Sequence, residues 1–98
     1  MILTLQIDKV SSGEYRAEAL YGGLPVAAAQ HYKRINEAIR REALALASSF
    51  DYMEVRYAGF SSGTFVMCVV SRMAETIADR LMELIVHQHH KQSLGAGH

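Results

Sequence analysis

Leu3, Leu5 and Ile7 alternate with Thr4, Gln6 and Asp8, and Tyr15, Ala17 and Ala19 alternate with Arg16 and Glu18. Period-two alternation predicts strands with one core face and one wet face. The first runs over about Ile2 to Lys9 and the second over about Glu14 to Tyr21. Gly22-Gly23 ends the second, and Pro25 restricts any following strand to an edge or to a start after it. Val26 to His31 fits a short third strand or the start of a helix. Ile35, Ala38, Ile39, Ala43, Leu46 and Ala47 recur at helical spacing and predict a helix over Ile35 to Ala47. Asn36 or an earlier residue caps it. Met53, Val55 and Tyr57 alternate again in a strand over Tyr52 to Ala58. The next strand, Thr64 to Val70, is apolar on both faces from Phe65 onward, so it reads as a central strand with both sides covered. A second helix is expected from Arg72 to His87, with Ser71 as its N-cap. Its apolar set is wide: Met73, Ala74, Ile77, Ala78, Leu81, Met82, Leu84, Ile85 and Val86.

The pattern contains an echo. Ser11-Ser12-Gly13 and Ser61-Ser62-Gly63 both sit between alternating runs, where a polar link with Gly predicts a hairpin turn. Each hairpin is followed by a helical stretch. Two readings stand side by side: a tandem ββα repeat whose first copy carries an insert, and two unrelated hairpins that share common turn residues. The chain reads as one domain. Its units would be 1–48 and 52–90, with a frayed tail over 91–98. The expected fold class is α+β: an antiparallel sheet of four to five strands with two helices on one face, in the order β-β-(β)-α-β-β-α.

Composition narrows the function classes. Half the 98 residues are apolar and one-fifth are charged, as in a folded globular chain. Ten basic residues balance ten acidic ones, so no global field draws the chain to nucleic acid or anionic lipid. No apolar run approaches the ~20 residues of a membrane span, and no signal-peptide pattern opens the chain. The single Cys68 lies in an apolar run and reads as a buried thiol. A reduced, cytoplasmic setting is the expectation.

Candidate chemistry is sparse. His87 and His90 share a helix face at i,i+3, but a transition-metal site needs three or four convergent ligands. The cluster with His89 also fits a helix C-terminus, where protonated imidazole is favoured. No metal or other cofactor is expected. Asp8, Glu18 and Arg16 read as a salt-bridged wet face. Lys33, Arg34, Arg40 and Arg41 could touch phosphate, but they lack interleaved aromatics and a helix-turn-helix partner. The two-sided strand and the over-wide second helix point to self-association. The expected contact residues are Val66, Cys68, Val70, Met73, Ile77, Leu81, Met82 and Ile85.

Gly13-Glu14-Tyr15-Arg16-Ala17-Glu18, then Leu24-Pro25, then Ile35-Asn36-Glu37-Ala38-Ile39-Arg40-Arg41-Glu42-Ala43-Leu44 resembles the N-terminal domain of HicB-like antitoxins. The resemblance covers about half the chain. Val26 departs from the family's usual Gly after Leu-Pro, and Arg34 stands near its usual Thr cap. The resemblance implies a βββα core followed by a further strand. It also implies a small partner toxin that cleaves messenger RNA and, in many members, DNA binding through a C-terminal module. The long second helix is not that module, and no site residue carries over. The function expected is therefore a non-enzymatic, self-associating interaction domain of antitoxin-like type, a bacterial homodimer. The alternative is a nucleic-acid-binding or regulatory protein using the basic face of the first helix.

Overall fold

The computed structural model describes residues 1–96, with side chains through Gln88. The elements run β1 (Ile2–Ser11), β2 (Glu14–Tyr21), β3 (Leu24–Pro25), β4 (Gln30–Tyr32), α1 (Ile35–Leu46), β5 (Tyr52–Tyr57), β6 (Phe60–Val66) and α2 (Met67–Ala96). The class is α+β. Six strands form one sheet in the order β3-β2-β1-β5-β6, with β4 also paired to β2.

The sheet is mixed rather than antiparallel, because β1 and β5 lie side by side and run parallel. The other pairings are antiparallel. The parallel pair follows from α1. A helix lies between β4 and β5, and it carries the chain across one face before the next strand begins. Such a crossover returns the chain in the same direction, which a tight turn cannot do.

The expected alternation sets the core. Leu5 lies opposite Ala19 on one side and Val55 on the other, and Ile7 lies between Ala17 and Tyr57. Residues paired across neighbouring strands share a face, so these side chains form one layer. Leu3, Leu5, Ile7, Met53 and Val55 are completely buried, beneath Ile39 of α1 and Val70, Ile77 and Leu81 of α2. Ala17 and Ala19 are the small residues of this layer. Both helices cover this face, and α1 also packs directly against α2.

The second half departs from the sequence pattern at three places. The β5–β6 turn is Ala58-Gly59, both at positive φ (52° and 82°), and it begins before Phe60 rather than at Ser61-Ser62-Gly63. That triplet lies inside β6. The register slips there, so that Arg56 faces Ser61 while Glu54 faces Thr64. The Ser62 hydroxyl donates to the Val55 carbonyl at 3.2 Å, and Gly63 takes a φ of 109°. This bulge changes the parity of the strand. Phe60 and Phe65 are an odd number of positions apart, yet both pack on the core.

The third departure is the strand-to-helix boundary. β6 ends at Val66, and Met67 to Val70 form the first turn of α2. Met67, Val70, Ala74, Ile77 and Leu81 are all buried. Their spacing of three and four is one helix face. The doubly apolar run is therefore a junction of two periods and not a central strand. Ser71 lies within the helix and is not its N-cap. At the far end, α2 continues through Lys91 to Ala96 where a frayed tail was expected. Gly97 and His98 lie outside the described residues.

The tandem repeat fails on handedness. Seen from the helix side with β1 and β5 pointing up, β2 lies outside β1 on one edge and β6 lies outside β5 on the opposite edge. The two ββα units thus place their second strands on opposite sides of their first. No rotation superposes them. The shared Ser-Ser-Gly is turn and bulge chemistry and not the mark of a duplicated unit.

Candidate interaction surface

Two surfaces carry apolar groups that the chain itself leaves uncovered. The first is the distal part of α2. With 30 residues, α2 spans about 45 Å at a rise of 1.5 Å per residue. The molecule measures 50 × 25 × 25 Å, so its long axis is chiefly this helix. Among the described side chains of α2, which run through Gln88, the last wholly buried one is Leu81. Beyond it, Met82 is 44% exposed and Val86 is 64% exposed. Met82 and Val86, at i,i+4, share a shallow depression with Asp79, Glu83 and His87. This stripe flanks the core-facing Val70, Ala74, Ile77 and Leu81, about 120° around the helix, and Met82 also borders the cleft with Tyr15, Lys33 and Ile35.

The second surface is a row across the open face of the sheet. Ile2, Tyr52 and Val66 lie in direct register on β1, β5 and β6, and all three are exposed. The rest of that face is mostly polar, apart from Leu20 and Pro25 in register with Thr4. It carries Gln6, Asp8 and Arg56, with ion pairs Arg16–Glu18 at 3.1 Å and Arg56–Glu54 at 3.4 Å. The salt-bridged reading of Arg16 and Glu18 fits this arrangement. Asp8 faces Arg16 across β1 and β2.

The structure splits the expected contact residues into two groups. Val70, Ile77 and Leu81 are buried in the chain's own core, and Met73 and Ile85 pack against it. Their role is to hold α2 on the sheet. Val66 and Met82 are exposed. Cys68 is also exposed, contrary to the buried thiol read from its apolar neighbours. The helical turn beginning at Met67 carries it to the outside. Val86 belongs to the exposed stripe but was not among the expected contacts. Its spacing from Met82 was the available signal.

Lys33, Arg34, Arg40 and Arg41 are all exposed, and none forms an ion pair among the described residues. They do not make one patch. Arg34 is the N-cap of α1 and makes no side-chain capping bond. On the helix, Glu37 and Leu44 fall angularly between Arg40 and Arg41. Lys33 and Arg34 border a cleft that also holds Glu75 and Asp79 of α2, so carboxylates accompany them.

The titratable groups form structural pairs. Tyr32 in β4 donates its hydroxyl to Glu42 of α1 at 2.7 Å. Glu42 is buried. Burial, followed by the hydrogen bond to Glu42, pushes the Tyr32 phenol well above its ordinary range. Tyr57 is also raised, first by burial and then by Tyr15 and Asp8. His31 Nδ1 lies 2.8 Å from Glu14 Oε2, joining β4 to the start of β2. Among the described residues, no three His, Cys, Asp or Glu side chains converge to hold a metal. His87 is exposed, and the His89 and His90 side chains lie outside the described set.

No family model, curated protein or solved structure matches the chain. Among the described residues, no helix is long and apolar enough to cross a membrane. The fold and surface define a small α+β domain with a projecting helical arm.

Proposed function

We propose that the protein is a non-enzymatic interaction domain that self-associates through the distal part of α2. The observation that carries this reading is the continuation of α2 past Leu81 with Met82 and Val86 exposed on one stripe. A helical extension with little support from its own domain is marginal in water. Contact with another chain would bury its apolar stripe and hold the arm in helical form.

The resemblance to HicB-like antitoxins adds a small toxin as a further partner. Its motif segments fall on the β1–β2 turn and β2, on β3 and on α1. That order suits the family's core, and co-purification with the product of a neighbouring gene would test the toxin assignment.

Sedimentation velocity over a concentration series tests self-association. The expected result is a monomer–dimer equilibrium that Val86→Glu weakens at least about tenfold while leaving the melting temperature nearly unchanged, because an exposed substitution costs the fold little. A wild-type chain that stays monomeric at the highest concentration would remove the proposal. Nucleic-acid binding is the competing outcome, and its signature is an affinity that falls steeply with salt.

A further inference from the structure

We draw no further inference here: the strongest candidate, the open cleft between the start of α1 and the middle of α2 that Lys33 and Arg34 share with Glu75 and Asp79, rests on a helix N-terminus and exposed side chains of both charges, and no second observation in the structure points to a ligand for it.

Discussion

At the scale of single residues, the most consequential pair is Tyr32 and Glu42. Glu42 looks like a surface residue in the sequence, flanked by Arg41 and Ala43. Its carboxylate is nevertheless buried and accepts the Tyr32 hydroxyl at 2.7 Å. Tyr32→Phe would leave a buried acceptor without that donor, so a loss of about 1–2 kcal/mol is expected in chemical denaturation. The pH dependence has a definite sign. The folded state raises the Tyr32 phenol above its unfolded value. The linked stability is therefore fully present below the ordinary tyrosine range near 10 and is lost as pH rises beyond it. Stability measured between pH 9 and 11 should fall, and Tyr32→Phe should flatten part of that slope. The pair itself was not legible in the sequence, because ten residues and a change from strand to helix separate its members.

At the scale of elements, the first half was readable and the second was readable only in pieces. Leu3, Leu5 and Ile7 on one side and Tyr15, Ala17 and Ala19 on the other alternate without interruption, and the structure keeps that pairing. Helix α1 lies within a residue of its expected bounds. In β6, the bulge at Ser62 and Gly63 interrupts the count, so parity no longer predicts which face a residue takes. The turn at Ala58-Gly59 was hidden because Ala is a poor residue for positive φ. That makes a favourable substitution available. Ala58→Asn should raise stability by about 0.5–1 kcal/mol, since Asn tolerates the left-handed region and Asn-Gly is a preferred two-residue hairpin link. Thermal unfolding would check it, and a destabilised variant would count against the turn. Gly63→Ala should act in the opposite direction by about 1–3 kcal/mol, because a side chain is strained at a φ of 109°.

At the scale of the molecule, both helices cover one face of a mixed sheet and leave the other face open. The expected α+β class and the two helices on one side agree with this. The parallel β1–β5 contact was not readable, since sequence spacing says little about which strands become neighbours. The core depends on that contact. Leu5 lies between Ala19 and Val55 and is completely buried. Leu5→Ala should therefore cost about 2–5 kcal/mol, measured by denaturant unfolding. Val86→Glu should leave that measurement almost unchanged while weakening association. The two variants separate the domain that holds the arm from the surface that the arm presents.

The junction at Val66 and Met67 has a mechanical consequence. No loop separates β6 from α2, and the Met67 amide donates to the Asp51 carbonyl at 2.8 Å. The arm is therefore a lever welded to the edge of the sheet. A load on its free end passes into β6 as torque, with no hinge to absorb it. One residue inserted between Val66 and Met67 would turn the whole helix by about 100°. The buried and exposed stripes would then compete for the same core. The aim of the arm and the stability of the domain are set by the same joint, and neither can be altered there alone.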